Sequence, residues 1–190
     1  MKALWQMWHN QLPDQTINDI ITECEKYPPQ EAKTGLNNDG LNENYRKSEI
    51  RWINRNSPSS RWIGDMIFDF AQIANRNAFG FDIDFISDIQ YTIYKSENLG
   101  KYDWHHDTFW DDPKPYDRKI SIIIQLSQGD VDYEGGDFEL DPQFPSPDKN
   151  QLKTKGTVFA FPSFMGHRVT PVTSGIRKSL VCWVEGPNFR

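Results

Sequence analysis

Apolar residues in the first third of the chain recur mainly at helical spacing. Behind Asp14, a candidate N-cap, they repeat every three or four residues as far as about Lys26, which predicts an amphipathic helix. The segment Tyr27–Pro29 ends this helix, because a residue that precedes proline disfavours helical geometry. Residues 30–44 are polar and contain glycines and asparagines, so we expect a mobile loop there. Near the N-terminus, three large apolar side chains either dock on the domain or lie loosely on its surface: Trp5, Met7 and Trp8.

A short strand is predicted at residues 45–53, and a second helix follows it. Ser57–Ser60 supply helix-start signals, and apolar residues then continue at helical spacing as far as Ala74. Gly80 closes this helix or the turn after it. Five basic residues and one acidic residue lie between Arg46 and Arg61. They form either a solvated surface or a rim that faces a substrate.

From residue 86 onward, the period of the apolar residues changes to that of a strand. Turn residues interrupt the pattern at short intervals and divide it into candidate strands at about 86–95, 102–107, 119–127, 135–140, 156–161, 166–172 and 177–184. Short strands in this number after two helices favour an antiparallel sandwich or barrel, with the helices packed on one side.

The gaps between these strands and the order of the elements predict the domain organisation. Residues 108–118 and 141–152 are rich in Asp and Pro, and loops of this length at the mouth of a barrel often act as lids or contact substrate. The sequence shows no repeat and no low-complexity tract. We therefore expect one domain over residues 1–190, with a helical and strand buttress at 1–85 and the β core at 86–187.

Composition narrows the class of protein. The 190 residues suffice for a substantial core, and aromatic residues, at 14%, would supply much of its buried surface. A net charge of -6 disfavours broad binding to nucleic acid, because such binding needs Lys and Arg side chains against the phosphates.

The sequence shows neither an apolar run that could span a bilayer nor a signal-peptide core, so we expect a soluble, cytoplasmic protein without membrane contact. Two cysteines are too few for a disulfide framework, and Cys182, in the apolar run SLVCWV, is expected in the core.

The strongest candidate chemistry lies in the stretch GKYDWHHD, residues 100–107. His105 and Asp107 stand two apart, and in an extended segment their side chains would point to the same face. His167, in the strand-like run FPSFMGHRVTPV, is the candidate for a third ligand. Two histidines and one carboxylate on one face are typical of non-haem Fe(II) oxygenases.

The histidines and the aspartate could also have roles other than metal binding, and these are considered residue by residue. A lone His-x-Asp pair is weak evidence, because short matches arise by chance, and ordinary core or surface roles are the alternative. His106 would point to the opposite face from its neighbours, so a structural or rim position is expected for it. His9 has no partner pattern and is expected on the surface.

A hairpin is predicted after His167, with its turn near Ser174. It would pair His167 with about Val181 and place the backbone of Arg177 about 13 Å along the sheet from the metal, at about 3.3 Å per residue. The planar fork of an arginine suits a carboxylate. Arg177 is therefore a candidate for binding the far end of a short dicarboxylate whose near end chelates the metal. Ser179, on the same strand face, would add a hydroxyl donor.

The combined pattern resembles the Fe(II)/2-oxoglutarate-dependent dioxygenases, and in particular the prolyl 4-hydroxylase-like branch with its small bacterial and viral single-domain members. The similarity covers roughly residues 86–186, and RKSEIRWI at 46–53 is similar to a strand found earlier in that family. It rests on QYTIY at 90–94, GKYDWHHD at 100–107, EGGDFEL at 134–140 and the run at 156–183. The resemblance implies a mostly β fold with flanking helices: a double-stranded β-helix, that is, a jelly-roll or cupin-like barrel.

The resemblance also implies roles for the candidate residues. His105, Asp107 and His167 would bind Fe(II), and Arg177 would pair with the distal carboxylate of 2-oxoglutarate. The implied reaction consumes 2-oxoglutarate and O2, releases succinate and CO2, and hydroxylates a C–H bond, with ascorbate as a candidate reductant. The carboxylate of Asp107 favours hydroxylation, since halogenating relatives lack it. For a viral member, the compartment would be the host cytoplasm.

Two tyrosines match family positions near the cosubstrate. Tyr102 lies three residues before His105, whereas the interval from Tyr94 to His105 is longer than the family pattern. A phenol at either position would donate a hydrogen bond to the cosubstrate carboxylate. The alternative for both tyrosines is a packed aromatic of the barrel.

Similarity to prolyl hydroxylases suggests a peptidyl proline as substrate, in contact with Trp104, Trp110, Arg51 or the 108–118 loop. Fold and cofactor do not determine substrate, however. A free amino acid, another protein side chain and a small metabolite are alternatives, and a non-catalytic binding module of the same fold is a different class. Nucleic acid is disfavoured, because no basic tract is interleaved with aromatics. The sequence does not indicate an oligomeric state.

Overall fold

The structure, a computed structural model, describes residues 1–33 and 44–190, so most of the predicted loop at 30–44 lies outside the described residues. Within these ranges the α-helices are α1 (Asp14–Cys24), α2 (Arg61–Ala74) and α3 (Lys149–Lys153). A π-helical turn at Asn75–Phe79 extends α2. Gly80 then ends it with a φ of 71°, a conformation that glycine adopts without a steric penalty.

The first helix begins one residue earlier than the sequence pattern predicts. Pro13, not Asp14, holds the N-cap position, with an extended backbone at φ -68° and ψ 155°. Its carbonyl accepts a hydrogen bond from the N–H of Ile17 at 3.1 Å. Asp14 is therefore the first helical residue, where a carboxylate favourably faces the positive end of the helix dipole.

The strands, numbered in chain order, form two antiparallel sheets. They are β1 (Gln6–Trp8), β2 (Gln30–Glu31), β3 (Arg46–Lys47), β4 (Glu49–Ile53), β5 (Phe85–Lys95), β6 (Lys101–His105), β7 (Tyr116–Gln125), β8 (Tyr133–Gly135), β9 (Phe138–Leu140), β10 (Val158–Pro162), β11 (His167–Val169) and β12 (Val172–Pro187). Across the described residues, the larger sheet has the order β1–β10–β7–β12–β5–β4–β2, with β8 paired to β12. The smaller sheet has the order β3–β6–β11–β9. The predicted mostly β, antiparallel architecture with flanking helices is confirmed.

The two faces of the larger sheet bury different residues, because side chains alternate along each strand. On β7, Ile120, Ile122 and Ile124 join the core that α1 and α2 cover. Ser121 and Ile123 belong to the opposite face, toward the smaller sheet. A second, more aromatic core fills the space between the sheets and includes Phe138, Leu140, Phe159, Phe161 and Val169. The site described below opens into this inner space.

The chain after His167 does not form the predicted hairpin, so this prediction is wrong. His167 pairs with His105 and Leu140 in the smaller sheet, whereas β12 pairs with β5 and β7 in the larger one. The chain changes sheets at Pro171, whose carbonyl accepts the N–H of Gly136 at 3.0 Å. Proline has no N–H to continue a ladder, which suits a crossing point. Arg177 therefore approaches the site from the opposite sheet.

Several predicted boundaries also change. The strand predicted at 102–107 ends at His105, so Asp107 lies beyond it and its N–H donates to the carbonyl of Ser163 at 2.8 Å. The segment 141–152, predicted as a loop, contains the start of α3. The N-terminal residues dock as β1, which places Met7 opposite Phe159. No helix in the described part of the chain has the length and apolar character needed to cross a membrane.

Candidate active site

Three potential metal ligands meet at the end of the smaller sheet. His105 ends β6 and His167 begins β11, and the two are direct cross-strand partners. Asp107 follows two residues after His105. One ligand atom from each of the three residues lies within 4.8 Å of the others. The structure thus brings together the triad that the sequence predicts, although Asp107 reaches it from a bend and not from a strand.

Backbone carbonyls orient both imidazoles. Nδ1 of His105 lies 2.7 Å from the carbonyl of Asp103, and Nδ1 of His167 lies 2.9 Å from that of Met165. A carbonyl only accepts, so each Nδ1 carries the proton and each Nε2 keeps its lone pair. The Nε2 atoms lie 3.8 Å (His105) and 3.5 Å (His167) from carboxylate oxygens of Asp107. Both lone pairs therefore face the space beside the carboxylate, as metal ligands require.

Burial and neighbouring groups hold His105 and Asp107 in the protonation states that suit metal binding. Burial, together with the nearby His167, lowers the pKa of His105 to about 3, so its imidazole is neutral at physiological pH. Burial alone would raise the pKa of Asp107. The neighbouring His167 and His105, Arg118 and a hydrogen bond from Ser121 outweigh burial and hold the pKa of Asp107 at about 2.

Arg177 is buried beside the triad without an acidic partner. Only 3% of the residue is exposed, and it lies directly opposite Tyr94 in the β12–β5 pair. Its Nε has no hydrogen-bond partner, and its Nη1 lies 3.5 Å from Oγ of Ser179. Among the described residues, no carboxylate lies within 4.0 Å of its nitrogens. A buried guanidinium cannot lose its charge, so this arrangement fits an anionic ligand.

The two predicted tyrosines lie on either side of the site. The ring of Tyr94 lies 5.5 Å from the guanidinium carbon of Arg177, and burial raises the pKa of its phenol. Tyr102 stacks on His105 with ring centroids 3.5 Å apart and an interplanar angle of 16°. Burial raises the pKa of Tyr102 as well, so both phenols keep their protons and remain hydrogen-bond donors.

One cavity of about 530 Å³ joins these groups. It is bordered by all the predicted ligand and cosubstrate residues and by Trp104, while the exposed His106 lies at its rim. Trp110 and Arg51, two of the predicted substrate contacts, do not border the cavity as far as the structure describes it. Trp110 is 57% exposed and packs on Phe189. Arg51 donates to the backbone carbonyls of Glu25 and Tyr27, because its neighbour Trp52 occupies the cavity-facing position of β4.

A match to a known family identifies the class of protein to which this site belongs. Residues 89–185 match the family described as the 2OG-Fe(II) oxygenase superfamily. The chain belongs to this superfamily. The matched range makes up half of the chain and contains every candidate ligand and cosubstrate residue of this superfamily member.

Two hydroxylases are related in sequence to this superfamily member. A PKHD-type hydroxylase from Synechococcus sp. (strain CC9311) is 38% identical over 97 residues, which are 50% of this chain and 41% of the relative. A PKHD-type hydroxylase from Idiomarina loihiensis is 33% identical over 75 residues, which are 37% of this chain and 33% of the relative. The chain spans less than half the length of these curated relatives.

Solved structures share the fold of this superfamily member. A Pseudomonas putida prolyl-4-hydroxylase superposes with a TM-score of 0.71 at 19% identity, covering 98% of this chain and 94% of that chain. A viral collagen prolyl hydroxylase from Paramecium Bursaria Chlorella virus-1, in a 2OG complex, gives a TM-score of 0.68 at 19% identity, covering 97% of each chain. At these identities the likeness establishes the jelly-roll fold, which confirms the prediction.

The residues of this superfamily member fit the cofactors that its family implies. Two neutral imidazole nitrogens and one carboxylate oxygen, all on one side, are a donor set for non-haem Fe(II). Arg177, with its unpartnered Nε, fits the distal carboxylate of 2-oxoglutarate, and Ser179 lies within its reach. Ascorbate stays a prediction, because no described residue tests it.

The structure also places residues in the site that the sequence reading did not single out. Ser121 contacts the carboxylate of Asp107, and Arg46 borders the same cavity. The other members of this group are Gln90, Arg118 and Trp183. The period-two alternation of β5, β7 and β12 is the signal that could have found Gln90, Ser121 and Trp183, which occupy positions facing the smaller sheet. Arg118 has the parity of Ile120, on the other face, and reaches the cavity where the pairing of β7 with β12 shifts register. No local pattern distinguishes Arg46 from the other basic residues nearby.

Proposed function

We propose that this protein is an Fe(II)- and 2-oxoglutarate-dependent hydroxylase that acts on a prolyl residue, or another residue, of a peptide or protein. The observation that carries the proposal is one shared cavity. It contains a His–Asp–His cluster with converging lone pairs and a buried arginine that has no carboxylate partner among the described residues. A ligand with one end on the metal and the other on Arg177 would satisfy both features.

Each residue has a separate task in this proposal. Nε2 of His105, Nε2 of His167 and a carboxylate oxygen of Asp107 hold Fe(II), and the carbonyl contacts of the two Nδ1 atoms keep the rings in place. Arg177, supported by Ser179, holds the distal carboxylate of 2-oxoglutarate. When bound, Fe(II) and 2-oxoglutarate would activate O2, the four-electron oxidant: one oxygen atom goes to 2-oxoglutarate, which becomes succinate and CO2, and the other to the substrate C–H bond, which becomes C–OH.

The chain's own contribution is orientation and exclusion of water. Apolar side chains from both sheets, Ile123, Phe138 and Val169, border the cavity beside the triad. A dry, rigid wall limits side reactions and holds the substrate C–H bond close to the metal. The relatives and the fold-sharing structures are named as hydroxylases, and a Trichoplax adhaerens prolyl hydroxylase of the same fold, TM-score 0.72, is named in complex with a peptide fragment. These names support a peptide substrate.

The proposal is tested first under anaerobic conditions and then in air. Adding Fe(II) and 2-oxoglutarate to the purified protein without O2 should produce a weak metal-to-ligand charge-transfer band in the blue-green region. Opening the sample to air with a pool of proline-rich peptides should then give peptide-stimulated succinate.

The outcomes separate the alternatives. A band with slow, peptide-independent succinate would redirect the search to a free amino acid or a small metabolite. A folded protein that gives no band with Fe(II) and 2-oxoglutarate would contradict the proposed cofactors and favour a non-catalytic binding module.

A further inference from the structure

A second buried guanidinium borders the same cavity. Arg46, on β3, is 9% exposed, and its Nε donates to Oγ of Ser48 at 3.1 Å. Its Nη2 donates to Oε1 of Gln90 at 2.7 Å, and Thr92 donates to the same amide oxygen at 3.1 Å. Both groups that bind Arg46 are neutral. Its Nη1 makes no hydrogen bond to any residue that the structure describes.

Arg46 also lies one aromatic ring away from a metal ligand. Its guanidinium carbon lies 4.3 Å from the ring centroid of Tyr102, and His105 stacks on Tyr102 with a centroid distance of 3.5 Å. The imidazole covers one face of the phenol ring, so the guanidinium lies against the other face. A group bound by Arg46 would therefore lie in the same cavity as the metal ligands, separated from His105 by the ring of Tyr102.

The described acidic residues of the cavity and of the adjoining strand that bear on Arg46 have other partners. Glu49, on the adjoining strand β4, forms ion pairs with Lys95 and Arg51 at 3.0 and 3.1 Å. Asp107 belongs to the triad, and Asp88, which also borders the cavity, lies 3.7 Å from Arg118. Within the described ranges, no carboxylate lies within 4.0 Å of the Arg46 nitrogens.

The charge of Arg46 also stays uncompensated when the proposed cofactors are included. The formal charges of Fe(II), the Asp107 carboxylate, 2-oxoglutarate and the Arg177 guanidinium cancel one another. A buried cation is costly unless an anion neutralises it, and arginine cannot escape the cost by losing a proton. None of the described residues supplies an anion to Arg46, so an anionic group on a ligand that enters the cavity would compensate its charge.

We propose that Arg46 binds a carboxylate of the substrate, so that the hydroxylated molecule carries an acidic group close to the reacting C–H bond. This inference rests on the proposed function and narrows its substrate class. The carboxylate belongs to a free amino acid, to a peptide C-terminus or to an acidic side chain beside the target residue. Arg46 is a specificity residue, distinct from Arg177, which serves the cosubstrate.

Three matched pairs of compounds test this assignment and identify the source of the carboxylate. They are L-proline with L-prolinamide, acetyl-Gly-Pro as free acid with its amide, and acetyl-Pro-Glu-amide with acetyl-Pro-Gln-amide. Binding is measured by the change each compound causes in the charge-transfer band of the anaerobic Fe(II)–2-oxoglutarate protein. At least one acid should bind about 10- to 100-fold more tightly than its neutral partner, the range expected for a charged hydrogen bond.

Variants at Arg46 then assign the preference to this residue. Arg46→Met should remove the preference for the acid while leaving 2-oxoglutarate affinity unchanged, and Arg46→Lys should keep part of it, because the charge remains but the fork is lost. Arg61→Met is the control, since Arg61 is exposed and forms an ion pair with Asp65 on the surface of α2, at 3.6 Å. Thermal melting and the charge-transfer band show whether each variant is folded.

Three results would overturn the proposal: equal binding of acid and neutral compound in every pair of the unaltered protein, a preference that survives in Arg46→Met, or a large loss of 2-oxoglutarate affinity in that variant. The first result needs no variant, so a folding defect cannot hide it. Failure of the proposed function itself would be recognised separately, because the band with Fe(II) and 2-oxoglutarate would then be absent before any compound is added.

Discussion

The hydroxyl of Ser121 donates a hydrogen bond of 2.6 Å to Oδ2 of Asp107. Ser121 is fully buried on β7, and its Oγ lies 2.9 Å from Oγ of Ser163, which is also fully buried. The contact occupies Oδ2 and turns Oδ1 toward His105, whose Nε2 lies 3.8 Å away. A carboxylate held in this way would offer one oxygen, Oδ1, to the proposed Fe(II).

Ser121→Ala should weaken metal binding by about 10- to 100-fold, because the carboxylate loses the hydrogen bond that orients it. Isothermal titration with Mn(II) as a redox-inert substitute measures this directly. Ser87→Ala is the control, since the Ser87 hydroxyl donates to the carbonyl of Trp183 at 3.2 Å and takes no part in the triad. Unchanged metal affinity in a folded Ser121→Ala protein would remove the serine from its positioning role.

His167→Ala should abolish metal binding and 2-oxoglutarate-dependent succinate production while the protein stays folded. Two ligands alone bind a divalent metal weakly, and the imidazole is one of three donors. His106→Ala is the matched control, because His106 is exposed at the rim of the cavity and should keep both properties. Retained turnover in His167→Ala would contradict the proposed ligand set.

Arg177→Leu should raise the concentration of 2-oxoglutarate needed for the charge-transfer band by about 10- to 100-fold, the loss expected for a charged hydrogen-bonded contact. Fe(II) binding should change little. Lys178→Leu provides the comparison on the same strand, because Lys178 points to the other face and binds Glu25 at 3.1 Å. An unchanged 2-oxoglutarate affinity in Arg177→Leu would place the carboxylate site elsewhere.

Both cysteines should resist alkylation in the native protein. Cys24 and Cys182 are fully buried, and burial raises the pKa of Cys24 to about 12 and that of Cys182 as well. The thiolate is the reactive form, so iodoacetamide at pH 8 should leave the folded chain unmodified and label both thiols in guanidinium. Mass spectrometry reads the number of labels. Rapid labelling of one cysteine in the folded protein would show that its packing is looser than described.

Spacing along the chain predicted the His105–Asp107 pair and an antiparallel β core, while the resemblance to a known family implied His167 as the third ligand and the jelly-roll barrel. His105 and Asp107 are close in sequence, so almost any extended geometry brings them near one another. The alternation of apolar residues predicted β5, β7 and β12, because a strand with one face on a core must repeat every second residue. These features depend on local backbone geometry, which the spacing of residues in the sequence predicts.

Tertiary structure decided how the strands pair and which neighbours reach the cavity. The spacing between His167 and Arg177 is compatible with a hairpin and also with a chain that passes from one sheet to the other. The structure shows the second arrangement, because the chain leaves the smaller sheet at Pro171 and enters the larger one. The sequence also did not determine whether Arg51 or Trp52 faces the cavity, since a shift of one residue exchanges the two faces of a strand. In the structure Trp52 borders the cavity and Arg51 binds the carbonyl of Tyr27.

The polar contacts around the site depended most on the folded chain. Ser121 lies 14 residues from Asp107, and Arg46 lies 44 residues from Gln90, so no short motif connects either pair. The sequence by itself determined the ligand types, the alternating strands and the arginine suited to a dicarboxylate. Only the tertiary structure decided which buried groups orient those ligands and which buried arginines have no carboxylate partner among the described residues, because such contacts form only when distant strands come together.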